Sequence, residues 1–397
     1  MHVLIDARFK DGGPGGIQQV VMGIAYGFSQ LENCMNLRLT FLMLEGHTDW
    51  LEVLLPENAE IKCVPCHDTD RNQNALNGFK NWGVRKFGHF LGKRSVSVQV
   101  EPEIVKEINP DLIHFVHQNI FKTDKPFIFM PMDLQHEYYP ENFTKRTVMV
   151  RRFLYQQHAE RAASVVCISN SCKRDVVHFL GIPDEKCSVV HCAPAIDIVG
   201  CVRDTQNTVV EKTSQLPEKY LIYPARYYAH KNHLNLIRAV KHAKDNKKII
   251  NVVCSGSETK YFRKYVYPEV LRLGLQEQIF FMGWVSPDEL SVLYEKSSGL
   301  VFPSYFEGFG MPLVEAMRAG LPIACSDKSC IPEIVGSAGI YFNPDRPKEI
   351  ANSMIQLLEN SKLRKDLLIQ SVQQVKSFSW VQSAENIYDI YKHLLRT

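Results

Sequence analysis

Short apolar runs alternate with longer, helix-patterned stretches along this chain, and the alternation starts twice. Strand followed by helix, repeated, buries its apolar faces best as a parallel sheet covered by helices on both sides. In the first half the pattern predicts strands over His2–Asp6, Leu37–Met43, Ile61–Cys66, Leu112–Val116, Phe127–Pro131, Val165–Ile168 and Ser188–His191, with helices over Ile17–Leu31, Glu101–Ile108, Thr147–Ala163 and Asn170–Leu180. A polar stretch from Ala193 to Glu218 interrupts it. Strands then resume over Tyr220–Ala225, Ile250–Ser255, Ile279–Met282, Leu300–Pro303 and Ile323–Ser326, with helices over His233–Lys244, Glu258–Leu273, Pro287–Glu295 and Pro312–Ala319, and a largely helical tail from Pro347 to Arg396.

At 397 residues the chain is too long for one ordinary core and suits two. The expected division is a first domain over 1–195, a connection over 196–218, a second domain over 219–375 and a terminal helix over 376–397 that packs back on the first. Ligands of doubly wound sheets bind beyond the carboxyl ends of the strands.

Composition narrows the function classes. A formal net charge of +3 gives no global case for nucleic-acid binding. No run of about 18 apolar residues offers a membrane span, and Met1–Asp6 reads as a buried strand rather than a secretory leader. A cytoplasmic, reduced protein is expected, its eleven cysteines serving mostly as small buried hydrophobes. Cys63 and Cys66 have metal-like spacing but no second pair.

The richest signal follows the strand at Leu300–Pro303. Glu307-Gly308-Phe309-Gly310-Met311-Pro312-Leu313 leads into a helix carrying Glu315. Two glycines let backbone approach a ligand, Pro312 suits a first helical turn, and the amides of a helix start can bind a diphosphate. The plain alternative is a glycine-rich turn with two solvated glutamates. Upstream, Arg226 and Lys231 bracket the turn after the strand at Tyr220–Ala225. Two cations there can neutralise a diphosphate and the charge that grows on it as a leaving group departs.

Together these segments resemble the nucleotide-sugar site of the retaining glycosyltransferases of family 4 (glycosyl transferases group 1), in their mannosyltransferase-like subset. Two glutamates with seven residues between them flank a Gly-aromatic-Gly turn, and an Arg and Lys pair precedes them. Gly256, Phe281–Val285, Gly320–Ile323, Ile331–Val335 and Ser377–Trp380 extend the likeness over the whole second domain.

The resemblance implies a GT-B fold, an α/β architecture of two doubly wound Rossmann-like domains facing a central cleft, with C-terminal helices. It implies that Glu307 contacts donor-sugar hydroxyls and Glu315 the ribose, with Arg226 and Lys231 on the diphosphate. The backbone of Gly308, Phe309, Gly310, Met311, Pro312 and Leu313 would hold phosphate and sugar. It also implies hexosyl transfer with retention and without a metal. The nucleotide sugar is a co-substrate, GDP-mannose ahead of UDP-sugars, and no cofactor is expected.

The first domain resembles the family more loosely. Gly15 and Gly16 match a Gly-Gly pair whose amides face the donor phosphate. Met132-Asp133-Leu134-Gln135-His136 resembles a His-Asp-Leu-Gln-His segment, with Met132 where relatives carry the histidine near the transferred sugar. Asp133 and His136 remain to position or deprotonate an acceptor hydroxyl, against a packing role for His136. His117 is a weaker candidate at the end of its strand.

Two basic clusters, Lys80–Arg94 and Phe143–Phe153, contain no acid and are interleaved with aromatics. They suit an anionic membrane surface or a lipid-linked glycan acceptor, or else form solvated helix faces. Asp68-Thr69-Asp70 mimics a metal-binding Asp-x-Asp and is rejected, because the cation pair supplies the charge a metal would. Two other readings stay open: a catalytically weak nucleotide-sugar-binding protein, which Met132 favours, and a nucleotide-sugar epimerase of similar fold.

Overall fold

The computed structural model describes residues 1–10, 15–32, 36–66, 99–118, 120–195 and 216–396. The chain forms two compact units, Met1–His191 with Trp380–Thr397, and Cys192–Ser379.

Unit 1 is built on β1 (His2–Asp6), β2 (Arg38–Leu44), β3 (Ala59–Val64), β4 (Leu112–Phe115), β5 (Phe127–Phe129), β6 (Ser164–Cys167) and β7 (Cys187–Val189). These form a seven-stranded sheet in the order β3-β2-β1-β4-β5-β6-β7, with every pairing parallel. The central strands are buried along their length, as expected for strands covered on both faces. Its helices include α1 (Gly15–Ser29), α2 (Asp49–Glu52), α3 (Glu103–Ile108), α4 (Gln135–Tyr138), α5 (Lys145–Arg161) and α6 (Asn170–Leu180). The last runs over the residues its sequence predicts. Ser169 caps it by accepting from the Cys172 amide at 3.0 Å, and Gly181 ends it at φ 61°.

Unit 2 comprises β8 (Leu221–Pro224), α7 (His233–Asp245), β9 (Val252–Ser255), α8 (Tyr267–Leu273), β10 (Ile279–Phe281), α9 (Pro287–Lys296), β11 (Leu300–Phe302), α10 (Met311–Arg318), β12 (Ile323–Ser326), α11 (Ile331–Val335), β13 (Gly339–Phe342), α12 (Pro347–Glu359) and α13 (Ser361–Gln374). Its six-stranded parallel sheet runs β10-β9-β8-β11-β12-β13. A capping box between Ser286 and Glu289 starts α9.

Two elements depart from the sequence reading. The single helix expected over Glu258–Leu273 winds as a π-helix at Phe262–Val266 before α8. Pro268 lacks the amide that regular winding would use, and the wider turn absorbs the loss. Strand β13 had no strand signal, being four residues at the sheet edge of which only Phe342 is fully buried.

The terminal helix α14 (Trp380–Leu395) belongs to unit 1. A Cβ on Gly23 or Gly27 of α1 would overlap Trp380, so these glycines let the two helices meet closely. Tyr391 of α14 shares a hydrogen bond of 2.8 Å with His114 Nδ1 of β4, both side chains fully buried. Seven of the described cysteines are buried. Among the described residues no helix is long and apolar enough to cross a membrane.

Candidate functional site

In unit 2 the first and fourth strands, β8 and β11, are central neighbours, while the strands on either side wind outward in opposite directions. Loops leaving the carboxyl ends of two such strands diverge and leave a crevice for a ligand. The loop after β8 carries Arg226 and Lys231. The loop after β11 carries Glu307.

Local hydrogen bonds fix the first loop. Tyr223 Oη donates to the Lys231 carbonyl at 2.6 Å and lies 3.0 Å from Ser304 Oγ. Asn232, at φ 58°, donates from Nδ2 to the carbonyls of Pro303 at 3.1 Å and Pro344 at 2.8 Å. The Tyr305 amide donates to the His230 carbonyl at 2.8 Å. The Lys231 backbone is thus tied to the ends of both central strands.

That tether delivers Lys231 Nζ to both Glu307 carboxylate oxygens, at 2.6 and 2.8 Å, with the two side chains 19% and 10% exposed. Arg226 is exposed, and its side chain makes no hydrogen bond or ion pair among the described residues. Gly256, at φ 151°, brings the end of β9 against the same loop. A Cβ there would stand 2.5 Å from the Ala225 carbonyl oxygen.

The turn after Glu307 depends on Gly310, at φ 91°, where a Cβ would come within 2.8 Å of Leu313 Cδ1. Phe309 is buried edge-on against Phe378, ring centroids 5.6 Å apart. Gly308, Met311 and Pro312 are half-buried. The Leu313 amide already donates to the Gly310 carbonyl at 2.9 Å. Glu315 lies within α10, 4% exposed, and accepts from Tyr294 Oη at 2.8 Å. Burial pushes its carboxyl pKa up to about 7 despite that hydrogen bond.

In unit 1, α1 begins at Gly15, and a Cβ on Gly16 would meet only open space. Asp133 is half-buried, and its Oδ1 accepts from the Gln135 amide at 3.0 Å as the chain enters α4. Met132 beside it is also half-buried. His136 has no accessible surface and lies edge-on to Tyr155, ring centroids 5.0 Å apart. Burial lowers its pKa to about 4. The single turn of α4 directs Gln135 and His136 inward, and His136 packs against the core of unit 1.

The carboxyl ends of β1 and β4 hold a cluster not singled out in the sequence. Asp6, fully buried, takes two hydrogen bonds from the Arg8 guanidinium, at 2.7 and 2.8 Å, and a longer one of 3.4 Å from the Arg8 amide, and lies 3.5 Å from His117 Nε2. Burial alone would raise the Asp6 pKa. Arg8 and then His117 outweigh it and hold the carboxyl well below its usual range. An acid closing the apolar run His2–Ile5, with arginine two residues on, was the available signal.

Two family patterns match the chain. Residues 204–372 match Glycosyl transferases group 1, and residues 66–195 match Glycosyltransferase Family 4. This chain belongs to the group 1 and family 4 glycosyltransferases. Among its relatives are the Escherichia coli O-antigen chain mannosyltransferase B, 24% identical over 64% of this chain and 67% of that protein, and the Salmonella typhimurium O-antigen chain mannosyltransferase RfbU, 28% identical over 54% and 56%. The Escherichia coli serotype-specific mannosyltransferase WbdA is 26% identical over 77% of this chain and 39% of its own length. The match thus spans little more than half of RfbU and well under half of WbdA. Anabaena HepE in complex with UDP and glucose superposes with a TM-score of 0.70 at 17% identity, covering 98% of this chain and 99% of that one. WaaG, a glycosyltransferase involved in lipopolysaccharide biosynthesis, gives 0.62 at 15%, covering 98% and 99%. At such identities the likeness shows the fold, GT-B with two parallel-sheet α/β domains.

Of the residues expected to bind a donor, Arg226, Lys231 and Glu307 fall on unit 2 loops at the ends of adjacent strands, Met311 to Leu313 and Glu315 on α10, and Gly15 and Gly16 on α1 of unit 1; the structure joins Lys231 to Glu307 directly. The basic segment Lys80–Arg94 and Asp68/Asp70 lie outside the described residues. The second basic cluster is altered by its surroundings: Arg152 forms a forked ion pair with Glu137, as close as 2.6 Å, and Arg151 sits over the Phe143 ring at 4.6 Å. Sequence distance concealed the first contact, since Glu137 lies outside the acid-free window.

Proposed function

We propose that the chain transfers a hexosyl residue from a nucleotide diphosphate sugar to a glycan or lipid-linked oligosaccharide, with retention at the anomeric carbon and no metal. The observation that carries this reading is the Lys231–Glu307 pair at the switch point of the unit 2 sheet. A carboxylate there can accept from sugar hydroxyls, and the neighbouring cations suit a diphosphate.

GDP-mannose is the first candidate donor, a reading supported by relatives that are named mannosyltransferases. The UDP and UDP-glucose bound to HepE keep a UDP-sugar second. In the proposed reaction the bond from the anomeric carbon to the diphosphate breaks, and the acceptor oxygen bonds to that carbon on the same face. The acceptor proton passes to the departing phosphate. Arg226 and Lys231 would stabilise the negative charge on the leaving group, Glu307 would orient the sugar and Glu315 the ribose. Gly15 and Gly16 remain proposed contacts to phosphate, and Asp133 to the acceptor.

A thermal-shift screen of GDP-mannose, UDP-glucose and their nucleoside diphosphates tests the donor assignment. A ligand at roughly 100 times its dissociation constant stabilises by about 2.7 kcal/mol. Absence of any shift across the screen would refute the reading. Met132 favours a second reading, binding without turnover, which donor binding with no transfer or hydrolysis would support.

A further inference from the structure

Glu307 is held from both sides. Lys231 takes its carboxylate, and the loop after β12 takes its backbone. The Glu307 amide donates to Ser329 Oγ at 3.2 Å, and the same hydroxyl donates to the Glu307 carbonyl at 2.7 Å. Cys330 Sγ lies 3.2 Å from that carbonyl and 3.2 Å from the carbonyl of Phe309. The contacts follow from the sheet. β11 and β12 run parallel with Phe302 opposite Cys325, so the loops leaving their carboxyl ends lie side by side.

We infer that Ser329 is a positioning residue for Glu307, setting its carboxylate for the sugar portion of the donor, with Cys330 as a second clamp; this rests on the donor-site reading above. A hydroxyl has one proton to donate and two lone pairs, so Ser329 spends its only proton on the Glu307 carbonyl. Its contribution to a donor sugar therefore passes through Glu307. Ser329 also holds φ 57°, a conformation costly for a residue with a Cβ. The backbone keeps that strain where the hydroxyl bridges both peptide groups of one glutamate. Without the bridge Glu307 keeps only the weak Cys330 thiol contact on its carbonyl and Lys231 on its carboxylate, and a cation on a flexible stem fixes distance better than direction.

Calorimetric titration of GDP and GDP-mannose, with UDP and UDP-glucose in parallel, into the wild type, Ser329→Ala, Ser329→Gly and Cys330→Ala tests this. Both serine variants should bind the sugar nucleotide about tenfold more weakly while affinity for the nucleoside diphosphate changes less than twofold. Cys330→Ala should shift the ratio in the same direction by less. The two serine variants separate positioning from stability, because glycine relieves the strained φ and alanine keeps it. An effect that differs between them in step with melting temperature, or an unchanged ratio of sugar nucleotide to nucleoside diphosphate affinity, overturns the inference. A wild type that binds none of the four ligands instead overturns the donor reading, and this inference with it.

Discussion

Tyr294 Oη donates to the carboxylate of Glu315 at 2.8 Å, and both side chains are buried, 1% and 4% exposed. Desolvation raises the Glu315 pKa from 4.5 to about 7. A carboxyl whose folded pKa is raised favours the folded state while it is protonated. Its contribution is fully present below pH 4.5 and is lost as pH rises through about 7. Glu315→Gln keeps an acceptor for Tyr294 and cannot ionise. Urea unfolding at pH 5 and pH 8 should therefore show the variant gaining on the wild type with rising pH, by up to about 3 kcal/mol. A pH-independent difference would contradict the assignment.

Arg226 and Lys231 should respond differently to removal. Arg226 is exposed and unpartnered among the described residues, so Arg226→Ala should leave stability within about 0.5 kcal/mol. Lys231→Ala leaves the mostly buried Glu307 without its cation and should cost about 1–3 kcal/mol. Adding Glu307→Gln should recover part of that stability without recovering turnover. Each of Arg226→Ala, Lys231→Ala and Glu307→Ala should lower turnover by roughly a hundredfold. Under the proposed mechanism, in which these cations take the role a metal would fill, full activity should survive EDTA. Activity lost to EDTA and restored by manganese or magnesium would refute that role.

Two glycines of α1 offer a contrast within one helix. A side chain on Gly23 would overlap the Trp380 indole, so Gly23→Val should destabilise the protein by about 1–3 kcal/mol in a chemical melt. Gly16 faces open space, and Gly16→Ala should be neutral or stabilising by about 0.5 kcal/mol. If Gly16→Ala nevertheless weakens nucleotide-sugar binding, the loss reports on the ligand. Unchanged binding removes Gly16 from the proposed site.

A lipid-linked acceptor calls for contact with an anionic surface, and Lys80–Arg94 combines five cations with Trp82, Phe87 and Phe90. Each Lys or Arg near such a surface contributes about 1 kcal/mol. The protein should float with anionic vesicles at low salt and release at high salt. It should lose flotation when Lys80, Arg85, Lys86, Lys93 and Arg94 are neutralised. Absence of flotation at low salt would refute the membrane contact and leave the family assignment standing.

The architecture, and the residue types of the loops proposed to hold the donor, were legible in the residues themselves. Strand and helix periods are local properties, and so is a segment such as Glu307–Glu315, whose glycines, proline and flanking acids sit within a few residues of one another. Tertiary structure alone decided the partners. Lys231 and Glu307 are 76 residues apart, and they meet because the first and fourth strands of unit 2 lie side by side. The same strand order in unit 1 brings Asp6 to His117, and the neighbouring pair β11 and β12 brings Ser329 to Glu307. His136 belongs with these. Its position in the segment was legible, but the direction its side chain takes from a single helical turn was set by what packs around it, here Tyr155, nineteen residues downstream in the core of unit 1.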